Sequence, residues 1–129
     1  MKYLNMTEIR KKNRFVAAYK GLIAVFRSEQ NFKIHLFAFF ILVFCGCFFG
    51  ISNVEWIAVL ICAFLVLAFE IFNTAVEKLC DYMNPDFDSQ IGRIKDIAAA
   101  AVLTCTIMSI VIGVLVFKPY LMKMFGDLV

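Results

Sequence analysis

The sequence predicts an all-α membrane protein in which an N-terminal amphipathic surface helix precedes three transmembrane helices. Three observations support this fold class. Of the 129 residues, 63% are apolar and the mean hydropathy is +0.85, whereas about half of the residues are apolar in soluble globular domains. Three long apolar stretches are present. The charged residues, 18% of the chain, cluster between these stretches, as they do in chains that cross a bilayer repeatedly.

The amphipathic helix is predicted over residues 7–28. Its apolar residues recur at helical spacing among basic ones, which is the pattern of a helix that lies in the membrane interface and favours anionic headgroups. Packing of this helix on the transmembrane bundle is an equal and compatible alternative. No apolar signal segment with a cleavage site precedes the helix, so we expect residues 1–129 to form one domain that starts at Met1.

The three apolar stretches each predict one transmembrane helix, because about 20 apolar residues are needed to cross the hydrocarbon core. The uncharged run 97–117 is long enough by itself. The other two stretches reach this length only when the residues that flank them are included. A short turn is expected at 50–53 and a polar loop at 84–89. The expected transmembrane helices cover about 31–51, 55–80 and 92–117.

The basic residues predict the orientation of the chain. Eight precede the first span, three lie around the second loop, two follow the third span, and the first loop has none. Because the cytoplasmic side of a membrane protein is the side richer in Lys and Arg, we expect the N-terminus and the second loop to be cytoplasmic. The polar loop then faces the compartment that contains ATP.

Glu70, Asn73 and Glu77 are spaced three and four residues apart, so they share one face of the second span. Glu70 follows fourteen uncharged residues, and an ionisable residue at such a place is costly and by default a functional hypothesis. Two carboxylates on one face suit Mg²⁺, which often lies between carboxylates and substrate phosphates. Asn73 could supply a neutral oxygen or contact a nucleotide. Alternatively, both carboxylates pair with basic residues of a neighbouring helix.

A second polar cluster, Gly92-Arg93-Ile94-Lys95-Asp96, opens the third span. Lys95 could contact phosphate as a point charge, Asp96 could orient it or bind a nucleotide, and the helix start favours an anion. On chemistry alone, a basic flank followed by small residues for close helix packing is an equal alternative. Glu29 and His35 taken singly are typical of interfacial residues.

Together, the segments EIFNTAVE (70–77) and GRIKDIAAAAV (92–102) resemble the paired signatures of the small bacterial integral-membrane diacylglycerol kinases and undecaprenol kinases. The resemblance includes Lys20-Gly21-Leu22 and Glu29 and covers roughly residues 10–117. It implies a homotrimeric bundle in the bacterial plasma (inner) membrane, with active sites where protomers meet. It also implies transfer of the γ-phosphate of MgATP to the hydroxyl group of a membrane lipid.

The resemblance assigns expected roles to individual residues. Glu70 matches the catalytic base, Glu29 and Glu77 match the Mg²⁺ ligands, and Asn73 matches an active-site amide. Arg10, with Arg14 as the alternative, and Lys20 match positions that contact the substrate or support the site. Ala17 replaces a tyrosine of some members, with Tyr19 two positions on. The expected ATP-binding residues are Glu29, Glu77, Asp86, Phe87, Asp88, Lys95 and Asp96.

The segment NFKIHL (31–36) resembles the undecaprenol kinase branch, so undecaprenol is favoured over diacylglycerol as the lipid. A small ion-transport subunit, which would carry ions without ATP hydrolysis, is an alternative from another class. A structural assembly subunit is a third, and it would tolerate Glu70→Gln. We expect ATP, a membrane lipid alcohol and further copies of this chain as partners, and no nucleic acid, because orientation accounts for the net charge of +3.

Overall fold

The structure is a computed structural model that describes residues 14–84, 86 and 88–126. These residues form four helices and no strand. Three of the helices, α2, α3 and α4, are long and apolar enough to cross a membrane, which confirms the all-α fold class with one shorter helix ahead of three spans. The trimer stays a prediction. The helices are α1 (Arg14–Ser28), α2 (Gln30–Phe49), α3 (Asn53–Met83) and α4 (Ser89–Gly126).

The helix ends differ from the expected ones mainly in α4. The residues 7–13 of the predicted amphipathic helix lie outside the described residues. The bounds of α2 and α3 and the start of α4 at Ser89 lie within three residues of the expected ones, whereas α4 continues past Pro119 to Gly126. The early start follows from Asp88, whose Oδ1 accepts hydrogen bonds from the N–H groups of Gln90 and Ile91 at 2.7 and 3.2 Å, as an N-terminal cap does.

The turn between α2 and α3 is tight and locally encoded. Gly50 has φ 64° and ψ 46°, a left-handed conformation that suits glycine, and its N–H donates to the carbonyl of Gly46 at 3.0 Å. Ser52 and Glu55 then form a capping box at the start of α3. We call this end of the bundle, at residues 50–53, the first-loop end, and the opposite end, at residues 84–89, the second-loop end.

The first-loop end is closed by packing and by one hydrogen bond between α3 and α4. Buried Ile51, Val59 and Val116 form a cluster there. The hydroxyl of Tyr120 donates to Glu55 Oε2 at 2.8 Å. Because this contact follows Pro119 directly, it helps to explain why α4 continues as a helix although proline removes one backbone hydrogen bond.

α3 is the central helix of the protomer. It packs against α1, α2 and α4, whereas α2 and α4 have few close contacts with each other among the described residues. Val25, Phe32 and Leu67 bring α1, α2 and α3 together toward the second-loop end. The buried polar residues of α3 therefore lie between α2 and α4, in the space that those two helices leave open.

Candidate active site

Three polar residues on one face of α3 are buried, in a helix whose other buried residues are apolar or cysteine. Glu70, Asn73 and Thr74 expose only 3%, 7% and 3% of their surface. The spacing of three and four residues puts them on the side of α3 that faces the rest of the protomer. Burial of a carboxyl group is costly unless it has a partner or a function, so this face is the first candidate for chemistry.

A cavity of about 280 Å³ opens onto this face. We call it the upper cavity. It contains the predicted set Glu70, Asn73 and Glu77, and it adds two polar residues of α2 and one polar residue of α4 that the sequence did not identify as parts of a site. The added polar residues are Asn31, His35 and Thr106.

The polar groups of the upper cavity are only partly satisfied within the protomer. Asn73 Nδ2 donates a hydrogen bond to Glu77 Oε1 at 2.9 Å, whereas the buried Oδ1 of Asn73 has no partner among the described residues. No described residue forms a hydrogen bond or an ion pair with Glu70. The alternative in which Glu70 and Glu77 pair with basic residues is therefore not seen between the described residues.

Glu29 lies at the junction of α1 and α2, where its extended backbone (φ −106°, ψ 116°) interrupts the helix. Ser28 Oγ donates to Glu29 Oε1 at 2.7 Å, and Lys78 Nζ lies 3.8 Å from the same oxygen. Lys78 also donates to Ser28 Oγ at 3.1 Å. Because Lys78 follows Glu77 directly, these contacts hold Glu29 beside the end of α3 that carries the site.

Lys95 of α4 forms an ion pair with Asp81 of α3. Asp81 is one helical turn beyond Glu77, so the pair brings Lys95 to the same end of α3 as the upper cavity. Neither partner lines that cavity. The ion pair fixes the relative position of α3 and α4 at the second-loop end.

The remaining predicted residues are outside the upper cavity or outside the described residues. Asp86 and Asp96 are exposed near the second-loop end, and Asp88 uses its carboxylate to cap α4. Lys20 and Arg14 are exposed on α1, as are Ala17 and Tyr19. Arg10 and Phe87 lie outside the described residues.

Some of the residues that the sequence analysis missed carried a weak signal. Asp81 is four residues after Glu77, and Asn31 is four residues before His35, so each pair shares a helix face. Lys78 and Thr106 gave no such signal, because their importance depends on contacts between helices.

The oxygen donors of the site fit a magnesium ion that arrives with a nucleotide. No three His, Cys, Asp or Glu residues among those described are close enough to hold a metal ion by themselves. Mg²⁺ usually takes only one or two protein carboxylates and completes its shell with phosphate and water oxygens. Glu29 and Glu77 supply such carboxylates, and the unpaired Asn73 Oδ1 is a further neutral oxygen.

Comparison with known proteins identifies the family of this chain. Residues 16–117 match the family described as prokaryotic diacylglycerol kinase. The chain is 32% identical to the undecaprenol kinase of Bacillus subtilis (strain 168) over 107 residues, which cover 83% of this chain and 87% of that protein. It is 28% identical to the diacylglycerol kinase of Escherichia coli (strain K12) over 94 residues, 73% of this chain and 77% of that protein. The chain therefore belongs to the prokaryotic diacylglycerol kinase family.

Proposed function

We propose that this protein phosphorylates undecaprenol, transferring the γ-phosphate of MgATP to the hydroxyl group of the lipid at the bacterial plasma membrane. The buried Glu70, which has no partner among the described residues, carries the proposal within the structure. Membership of a family of lipid kinases supports the reaction class. The segment 31–36, which resembles the undecaprenol kinase branch, supports the choice of lipid.

Glu70 is the proposed general base. It is buried in the upper cavity and bonded to no described residue, so its carboxylate is free to accept the proton of the lipid hydroxyl. The lipid oxygen forms a bond to the γ-phosphorus while the bond between that phosphorus and the β–γ bridging oxygen breaks, and ADP leaves. Since phosphoryl transfer requires mainly positioning and charge neutralisation, one base and well-placed cations suffice.

Glu29 and Glu77 are the proposed holders of Mg²⁺, which when bound neutralises charge on the phosphates. Asn73 fixes Glu77 through its hydrogen bond of 2.9 Å. Lys95 is proposed to contact phosphate, together with Asp96 and the loop residues Asp86, Phe87 and Asp88. Arg10 and Lys20 are proposed to support the substrate from the N-terminal segment.

We propose the same assembly that the family resemblance implies. Residues 1–129 form one lipid-kinase domain, three copies form a trimer, and the N-terminus and second loop are cytoplasmic. This orientation places the upper cavity, which is nearer to the second-loop end, on the side where ATP is present.

The test is transfer of labelled γ-phosphate from MgATP in detergent micelles, with undecaprenol and diacylglycerol offered separately. Wild-type protein is expected to label undecaprenol with the higher kcat/KM. Glu70→Gln should lower kcat about 10²–10⁴-fold, the range of general-base catalysis. Glu55→Gln, which removes a carboxylate at the other end of the same helix, should retain activity.

The outcomes separate the candidate functions. Preferential labelling of diacylglycerol would replace undecaprenol with the substrate that the Escherichia coli relative's name specifies. If neither lipid is labelled while the protein remains a folded oligomer, kinase activity is refuted. Ion flux in liposomes would then test the transport alternative.

A further inference from the structure

A second cavity, of about 130 Å³, adjoins the upper cavity on the side of the first-loop end. We call it the lower cavity. The two cavities share His35 of α2 and Thr106 of α4. They lie between the same three helices because α2 and α4 both pack on α3 and make few contacts with each other. Because the cavities adjoin at these two residues, we call them together the seam, and we call His35 and Thr106 its neck.

Polarity falls along this seam. The upper cavity contains the carboxylates Glu70 and Glu77 and the amides of Asn31 and Asn73. The lower cavity has Ser109 as its additional polar residue, and its other walls are apolar. These apolar walls are Ala38, Phe39, Leu42, Ala63, Val66 and Ile110. A ligand that fits the seam has a polar end beside Glu70 and a hydrocarbon part below the neck.

The neck offers polar atoms to such a ligand. The side chain of His35 is half-buried and forms no hydrogen bond with another described residue. Thr106 Oγ1 donates to the carbonyl of Val102 at 2.9 Å, so its oxygen can still accept a hydrogen bond. Both side chains lie between the carboxylates and the apolar walls. A hydroxyl group at the head of a hydrocarbon chain in the lower cavity would therefore lie next to them.

The size of the lower cavity limits what it can hold. A protein cavity of about 150 Å³ lined by apolar residues can bind one benzene molecule. At about 130 Å³, the lower cavity matches one five-carbon isoprenoid unit. The ester groups next to the hydroxyl of a diacylglycerol would have to enter this space, where Ser109 is the one polar side chain below the neck among the described residues. Burial of a polar group without adequate hydrogen bonds is costly.

We propose that the seam is the acceptor-lipid site and selects single-chain isoprenoid alcohols, with the hydroxyl beside Glu70 and the first isoprenoid unit in the lower cavity. This inference rests on the proposed function and adds to it a binding site and a basis for specificity. His35 and Thr106 at the neck bind the alcohol oxygen and set the depth of the chain. The wall residues Ala38 and Ala63 make room for that chain because their side chains are small.

The first test fills the lower cavity. Ala63 is buried, with 8% of its surface exposed, so Ala63→Leu should raise KM for farnesol about tenfold and leave KM for MgATP unchanged. Ala68→Leu, the same substitution at an exposed position of α3, is the matched control and should change neither constant. Ser109→Leu fills the lower cavity from α4 and replaces Ala63→Leu if that variant does not fold. An unchanged KM for farnesol in a folded cavity-filling variant would overturn the proposal.

The second test measures binding without catalysis. A farnesol analogue with a diazirine on its first isoprenoid unit is irradiated with the wild-type protein in micelles, without ATP. Labelling is expected within residues 38–42 and 106–110, and it should be lost in Ala63→Leu and kept in Ala68→Leu. If phosphate is transferred but labelling occurs only outside the seam, the proposed lipid site is refuted and the proposed kinase function stands. Labelling in the seam without transfer to any lipid supports the site and refutes the proposed function.

Discussion

Asn73 has two polar groups in its side chain, and they have different surroundings. Its Nδ2 donates to Glu77, and its Oδ1 is buried without a hydrogen-bond partner among the described residues. An unsatisfied buried acceptor costs about 1–3 kcal/mol. This cost is explained if Asn73 is functional. Its amide nitrogen orients the proposed metal ligand Glu77, and its oxygen can accept a bond from a cation or a nucleotide on binding.

Asn73→Ala is expected to weaken magnesium-dependent binding. The substitution removes both the hydrogen bond to Glu77 and the free oxygen, and the loss of such supporting groups typically costs 10–100-fold in metal affinity or activity. We expect the Mg²⁺ concentration for half-maximal kinase activity to rise at least tenfold at a fixed ATP concentration. Asn53→Ala, at the exposed start of α3, is the control. An unchanged Mg²⁺ requirement in Asn73→Ala would show that Glu77 does not depend on this amide.

At the level of helices, α2 and α3 are joined as a closely packed hairpin. The indole ring of Trp56 lies directly on Gly46, so that a Cβ atom at Gly46 would be 2.5 Å from Trp56 Cη2. This glycine is therefore required by the close approach of two helices. The left-handed Gly50 four residues later serves the turn itself. Both glycines act at the first-loop end, away from the upper cavity.

Two glycine-to-alanine substitutions are expected to have opposite effects on stability. Gly→Ala at a compatible position usually stabilises a protein by about 0.4–1 kcal/mol, and we expect this at Gly113, where a Cβ would meet nothing within 4 Å. At Gly46 the same change clashes with Trp56 and should destabilise by about 1–3 kcal/mol. The measurement is SDS-induced unfolding in detergent, followed by circular dichroism. Equal midpoints for the two variants would contradict the close contact.

For the molecule as a whole, charge and function are expected to lie at the same end. Eleven of the thirteen Lys and Arg residues precede the first span or lie around the second loop. Glu29, the upper cavity and the Lys95–Asp81 pair are all nearer to the second-loop end than to the first. Orientation by basic residues would therefore give the proposed nucleotide site access to the cytoplasm.

The orientation is tested by labelling single introduced cysteines in spheroplasts with a membrane-impermeant maleimide. Asn53→Cys, at the first-loop end, should react in intact spheroplasts. Ser89→Cys, at the second-loop end, should react only after the membrane is permeabilised. The unsubstituted chain, with its five native cysteines, gives the background. The reverse pattern would place the upper cavity on the side without ATP and would contradict the proposed function.

Much of the architecture could be predicted because its signals are local. The apolar stretches predicted the three spans, and the spacing of Glu70, Asn73 and Glu77 put these residues on one face of α3 before any packing was known. The glycine at position 50 marked the turn between α2 and α3. The C-terminal end of α4 was placed poorly, because it depends on the contact of Tyr120 with α3.

The amino-acid sequence by itself determined the number of spans, the polar face of α3 and the resemblance to a kinase family. Tertiary structure decided which residues of other helices meet that face. α2 and α4 are apolar almost all round, so their sequences do not show which side turns toward α3. The positions of His35 and Thr106 beside Glu70, the contact of Lys78 with Glu29 and the seam between α2 and α4 all follow from how the helices rotate and pack. Helical periodicity cannot determine these contacts, because it relates only residues of the same helix.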